Sequence, residues 1–282
     1  MIPRDLIGIG SYSFRYAAGK KEAPMDSLAF LEETARLGLG RALLCENLNY
    51  RDSDDRYIKK LAETAARYGI AVEVGMRGSS RENILRHIYI ASMLGAKIIR
   101  IVLGAVSETI PKDSQKLKGE AFKSIKSVLS QLEDADLQLG IENHFDLETV
   151  ELVDIVSQIN NKRVGLIFDS TNCLGLIEKP LDVLHMMKGR LLSVHLKDYE
   201  CRKIDGGYVF SGVDLGEGSL DIARVIQTAR SFNPHASFIV EYNMKPSHSQ
   251  AMGEKELLEW ERERARKNVS TILGAEGERY QQ

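Results

Sequence analysis

The chain has 282 residues, 43% hydrophobic and 28% charged, and its 38 Lys and Arg nearly balance its 40 Asp and Glu, for a formal net charge of −2. That supports a sizeable core in one large domain or two small ones, and leaves no basic footprint for a nucleic-acid backbone. Three widely spaced cysteines (Cys45, Cys173, Cys201) argue against a disulfide framework and for reduced thiols in a cytoplasmic protein.

No run approaches ~18 apolar residues, so no membrane span is expected. The opening MIPRDLIGIG reaches Asp5 before any apolar run, so no secretory signal is expected either.

Short apolar runs predict strands at Leu6–Ile9, Ala42–Cys45, Ala71–Val74, Ile98–Leu103, Gln138–Glu142, Val164–Asp169, Leu191–His195 and Phe238–Glu241. Most are rich in Val, Ile and Leu without polar alternation, as strands buried on both faces are. Helical patterns lie between them. MDSLAFLEETARLG puts Leu28, Leu31 and Ala35 on one face, with Asp26 to cap it and Gly38 to stop it. The next two patterns end at Gly69 and Gly95. DSQKLKGEAFKSIKSVLSQLEDAD reads as one longer helix. LETVELVDIVSQIN, KPLDVLHMMKG, SLDIARVIQTAR and EKELLEWERERARKNVSTILG complete the set.

Strand followed by helix, repeated with a period of roughly 30 residues, implies βα units and a parallel sheet. The fold class is therefore α/β, and the expected architecture is a (β/α)8 barrel forming a single domain over 1–282, with the tail 276–282 frayed. A doubly wound open sheet is the runner-up. Its glycine-rich turn is missing: of Gly8-x-Gly10, Gly8 lies inside the first strand, and no third glycine opens a helix.

In such a barrel, chemistry sits at the C-terminal ends of the strands. The first ends in Ser11, Tyr12, Phe14 and Arg15, and the second in Glu46 and Asn47. The third carries Glu73 and Arg77. The fifth ends in Glu142, Asn143 and His144, and the sixth in Asp169, Thr171 and Asn172. The seventh ends in His195, Lys197 and Asp198, and the eighth in Glu241 and Asn243. Glu142, Asp169, His195 and Glu241 thus close four consecutive strands. Three converging carboxylates repel one another, and one divalent cation (Mn²⁺, Mg²⁺, Co²⁺ or Zn²⁺) makes the set tolerable.

Each residue also has a plainer reading. Asn143 and His144 would cap a helix starting near Leu147. Lys197 and Asp198 would form a surface ion pair, and Glu46 and Glu73 would be ordinary acids. Tyr12 and Phe14 are either a core lip or an aromatic wall for a substrate. LGEGSL is a tight turn or, through its backbone amides, an anion cradle. CRKIDGGYVF predicts a hairpin around Asp205-Gly206-Gly207, placed to act as a lid with Arg202 or Lys203 reaching an acidic substrate. His87, His185, His235 and His248 are expected to be structural.

The motifs GIENH, FDSTN, SVHLKD and VEYN, in that order, with the later loop LGEGSLD, resemble the xylose isomerase-like TIM-barrel superfamily, the sugar phosphate isomerase/epimerase group. The resemblance spans nearly the whole chain. It implies that Glu142, Asp169, His195 and Glu241 ligate one metal. It also implies that Glu142 and Glu241 move protons on opposite faces of a keto sugar, through an ene-diolate the ion would stabilise. Lys197 and Asp198 recur near the substrate in that family, and His144, Asn172, Tyr12, Phe14, Glu46 and Arg202 are further candidates for binding it. One departure stands out. Many relatives carry a histidine three residues after the strand-six aspartate, and here that residue is Asn172.

The expected function is a metal-dependent isomerase or epimerase of a carbohydrate or sugar acid. A lyase on the same metal is the alternative: a dehydratase, or a decarboxylase of a 3-oxo sugar acid such as 3-oxo-isoapionate. No nucleic-acid or membrane partner is expected. A homodimer or homotetramer is, with the Trp260-bearing C-terminal helix as the candidate interface. The endonuclease IV group shares the resemblance, but it needs more histidines at the mouth than the six in this chain supply.

Overall fold

The computed structural model describes residues 2–18, 25–104, 113–242, 244–246 and 252–274. Asn243, His248 and the tail 276–282 lie outside them. Eight parallel strands close into a barrel: β1 (Ile7–Gly10), β2 (Arg41–Leu44), β3 (Ala71–Arg77), β4 (Ile98–Val102), β5 (Gln138–Glu142), β6 (Val164–Asp169), β7 (Leu191–Leu196) and β10 (Ser237–Val240). β8 (Asp198–Ile204) and β9 (Gly207–Val213) form the expected antiparallel hairpin directly after β7. The architecture is a single (β/α)8 domain.

The helices follow the amphipathic patterns and their punctuation. Helix α1 (Ser27–Arg36) is capped by Asp26, which accepts from the Ala29 N–H at 2.8 Å. Helices α2 (Asp55–Tyr68) and α3 (Arg81–Leu94) stop at Gly69 and Gly95, both left-handed. The long pattern after β4 breaks in two, α4 (Ser114–Lys126) and α5 (Leu129–Asp134), at Ser127 and Val128. No Pro or Gly marks that break, so the sequence gives no warning of it. Helices α6 (Thr149–Ile159), α7 (Pro180–Met186), α8 (Ile222–Phe232) and α9 (Glu254–Gly274) complete the shell. Glu148 and Glu151 build a capping box for α6, so Asn143 and His144 do not cap it. Among the described residues no helix is long and apolar enough to cross a membrane.

The main core lies at the sheet–helix interface, with Ile9, Leu44, Val74, Ile101, Ile141, Phe168, Val194 and Val240 buried, and Leu43, Cys45 and Ile239 form a small separate apolar cluster. Strand β3 runs three residues beyond its predicted end, to Arg77. Glu73 is therefore mid-strand, on the barrel floor. It pairs with Arg41 at 3.1 Å and accepts from the Ser237 hydroxyl at 2.6 Å. Helix α9 packs on its own barrel: Glu261 accepts from the backbone N–H groups of Tyr16 and Ala17 at 2.7 and 3.0 Å.

Candidate metal centre and active site

Each strand delivers its polar residue by parity and register. Glu142 and Asp169 are the last residues of β5 and β6, and Asp169 faces His195 of β7 in the ladder. Glu241 lies one residue beyond β10, and its N–H bonds Leu196 O at 3.0 Å. A Cβ on Gly10, at the end of β1, would collide with the Glu241 carboxylate. Only glycine there leaves room for that side chain.

The four side chains are buried, at 0–2% exposure. One ligand atom from each of Glu142, Asp169 and His195 lies within 4.8 Å of the others, and His195 Nδ1 stands 3.5 Å from Glu142 Oε2. Glu241 joins the group through Lys197, whose Nζ lies 2.6 Å from Asp169 Oδ2 and 3.0 Å from Glu241 Oε2. Lys197 is thus no surface residue. Its pKa is raised, burial being outweighed by Asp169, Glu241 and Glu142.

Arg100, on β4, is the residue that sequence reading missed. It is 3% exposed, its Nε bonds Glu142 Oε2, and its Nη1 lies 3.4 Å from Glu46 Oε1. Burial opposes its charge, but Glu142 and neighbouring acids outweigh burial and raise its pKa. Burial would push the Glu142 carboxyl up, yet Arg100 and His195 hold it well below the usual range. Glu241 is lowered too, with Lys197 and His195 overcoming burial.

The remaining candidates divide. Asn143 ties β5 to β6, donating to Asp169 O at 3.0 Å and accepting from its N–H at 2.7 Å. Asn172 donates to Glu142 Oε1 at 3.0 Å, so it touches a candidate ligand directly. Tyr12 reaches Glu46 at 3.4 Å, and its hydroxyl is pushed up to about 12 by burial and Glu46. His144 lies beside the mouth, with Nδ1 3.5 Å from Asp146 Oδ1.

Three candidates are placed elsewhere. Phe14 is fully buried against Phe30, ring centroids 6.0 Å apart, and forms core. Arg202 is exposed on the hairpin and pairs with Glu200 at 3.0 Å. Asp198 is buried, and its carboxylate accepts from the N–H groups of Gly216, Gly218 and Leu220 at 3.0–3.1 Å. The LGEGSL loop is an anion cradle after all, and its anion is the chain's own aspartate. A Cβ on Gly218 would strike it.

Buried polar atoms without a hydrogen-bond partner are rare and ask for one. Among the described residues, His195 Nε2 and Glu241 Oε1 are two such atoms in this cluster. Carboxylate oxygens and one imidazole around such a gap suit a hard or borderline divalent cation.

The family model described as xylose isomerase-like TIM barrel matches residues 31–267. The 3-oxo-isoapionate decarboxylase of Pectobacterium atrosepticum is 28% identical over 239 residues, 84% of this chain and 85% of that protein. Among solved structures, D-psicose 3-epimerase with D-tagatose from Clostridium cellulolyticum H10 superposes with a TM-score of 0.70 at 15% identity, covering 96% and 98% of the two chains. A xylose isomerase-like TIM barrel protein from Mycobacterium smegmatis in complex with magnesium gives 0.67 at 15% identity, covering 95% and 97%.

Proposed function

The chain belongs to the xylose isomerase-like TIM barrel family, and from that premise we propose that it is a metal-dependent decarboxylase of a 3-oxo sugar acid. A divalent ion held by Glu142, Asp169, His195 and Glu241 would supply Lewis acidity toward the substrate carbonyl.

The state of Glu142 carries this reading. Its Oε1 accepts from Asn172 at 3.0 Å, and its Oε2 is gripped by Arg100 and faces His195. An acid so engaged positions well and is a weak base. Glu241 is also held ionised, by Lys197 and His195, but its Oε1 has no protein partner and so stays open to the ion or to a proton. Epimerisation through opposite faces needs two proton-transfer groups. Decarboxylation needs an electron sink and one. The carbon–carbon bond to the carboxylate breaks, its electron pair enters the adjacent carbonyl as an enolate, and CO2 leaves. The carbon then takes a proton that Glu241 relays from water. The 28% identical decarboxylase supports the same chemistry.

A second reading, isomerisation or epimerisation of a keto sugar, is favoured by the presence of Glu142 and Glu241 at one mouth. It would use both for proton transfer. Incubation of the metal-loaded protein with 3-oxo sugar acids and keto sugars in D2O separates the two. The decarboxylase reading expects CO2 and one deuteron in the product. An intact carbon skeleton with deuterium exchanged at a C–H contradicts it and supports the second reading.

A further inference from the structure

Two cations of the mouth are fully engaged. Arg100 bonds Glu142 and reaches Glu46, and Lys197 bonds Asp169 and Glu241. Arg77 differs. It is the last residue of β3, at the same end of the barrel, and half-buried. Among the described residues its guanidinium makes no hydrogen bond or ion pair; only its backbone carbonyl is engaged outside the sheet, accepting from Asn83 Nδ2 at 2.9 Å. It lines a cavity of about 710 Å³ together with two other arginines, Arg51 and Arg81, the acids Glu46 and Glu120, and His87.

The cavity adjoins the candidate metal centre. Glu46 forms part of its wall, and Arg100 bridges Glu46 to Glu142. The charge of Arg77 acts on Tyr12, after β1, and on Asp146, after β5, so both loops lie within its electrostatic reach. Both neighbours have nearer partners. Tyr12 reaches Glu46, and Asp146 accepts from the Gly104 N–H at 2.9 Å. A guanidinium partly withdrawn from water calls for an anion. Its planar fork matches a carboxylate with two parallel hydrogen bonds.

We propose that Arg77 selects an acidic substrate, holding the carboxylate of a sugar acid in the cavity beside the metal ligands. It sets the preference for the acid over the matching neutral polyol. This rests on the mouth being the carbohydrate site proposed above. Arg77 binds the substrate and moves no proton, so its loss reads in the binding of the acid.

The test is calorimetric titration of the metal-loaded protein with erythronate, erythritol and erythritol 4-phosphate. Wild type, Arg77→Gln and Arg77→Lys are compared, with metal content checked in each. The expected result is that wild type binds erythronate at least roughly tenfold tighter than erythritol. Arg77→Gln should abolish most of that preference and Arg77→Lys should keep part of it. Chelation of the ion by the hydroxy acid is common to all three proteins, so the change between variants is what counts.

An unchanged erythronate-to-erythritol ratio in Arg77→Gln overturns the assignment, as does failure of wild type to bind erythronate. Preference for the phosphate ester with no preference for erythronate assigns the subsite to phosphate, and overturns the carboxylate too. The readout is binding, so it stands apart from whether CO2 is released. A protein that shows the Arg77-dependent preference but releases no CO2 contradicts the decarboxylase reading alone.

Discussion

The two ends of the barrel handle buried charge in opposite ways. On the floor, Glu73 meets one guanidinium, Arg41, and one hydroxyl, Ser237, which in turn reaches Ser193 at 2.7 Å. One acid, one base and two hydroxyls nearly close that network, with Glu73 Oε2 left over. At the mouth, Glu142, Asp169 and Glu241 crowd around His195, Arg100 and Lys197, and His195 Nε2 and Glu241 Oε1 are left over. The floor reads as an arrangement made for stability. The mouth holds like charges together that folding alone would keep apart, and such arrangements mark functional sites. (β/α)8 barrels in general follow the same division, chemistry above and stability below.

The sharpest way to break this comparison is Glu241→Gln. Turnover should fall by roughly 10²–10⁴, and the melting temperature should fall too, because Lys197 loses an ion-pair partner and the ion loses a ligand. A lower melting temperature with normal turnover would place Glu241 among the structural residues.

Glu261 gives the next largest effect, through pH. Burial raises its carboxyl from the ordinary 4.5 to about 7, despite the Tyr16 and Ala17 N–H groups. Between those values the unfolded chain is ionised while the folded chain retains a proton. The contribution of Glu261 to stability is therefore fullest below about pH 4.5 and falls as pH rises to about 7, by about 3 kcal/mol. Denaturant titrations across that window should show the slope in wild type and a flatter one in Glu261→Gln. Equal slopes would remove Glu261 as the cause.

On the floor, Glu73→Ala should cost about 1–3 kcal/mol, because the buried Ser237 hydroxyl and Arg41 lose their acceptor. With the metal-loaded enzyme kcat should not change. A large fall in kcat at an unchanged melting temperature would erase the distinction between the two ends. The smallest effect is expected at Asp26→Ala, which removes the cap of α1 for about 1 kcal/mol and should leave both catalysis and metal content untouched.

The eight strands were legible because buried parallel strands concentrate Val, Ile and Leu into short runs between helical patterns. Glu142, Asp169, His195 and Glu241 were legible because each breaks such a run at its end. Arg100 was not. It sits inside the run IIRIV, where nothing in the sequence says which face of β4 it joins or that Glu142 awaits it on β5. Glu73 misled for the converse reason: β3 continues past it to Arg77, which turns an apparent mouth acid into a floor acid. Asp198 looked like a partner for a ligand, and only the folded LGEGSL loop reveals that its three amides take that carboxylate. Register adds a further limit. The ladder between β6 and β7 shifts between Leu166 and Ile167, and that irregularity precedes the pairing of Asp169 with His195.

The measurement that bears most directly on the central claim is metal content per chain, with the melting temperature recorded before and after chelation, for wild type and Asp169→Asn. The mouth as described predicts one divalent ion per wild-type chain, a lower melting temperature after chelation, and a marked loss of bound metal in Asp169→Asn. Wild-type protein that takes up no divalent ion, and whose melting temperature ignores the chelator, would contradict it.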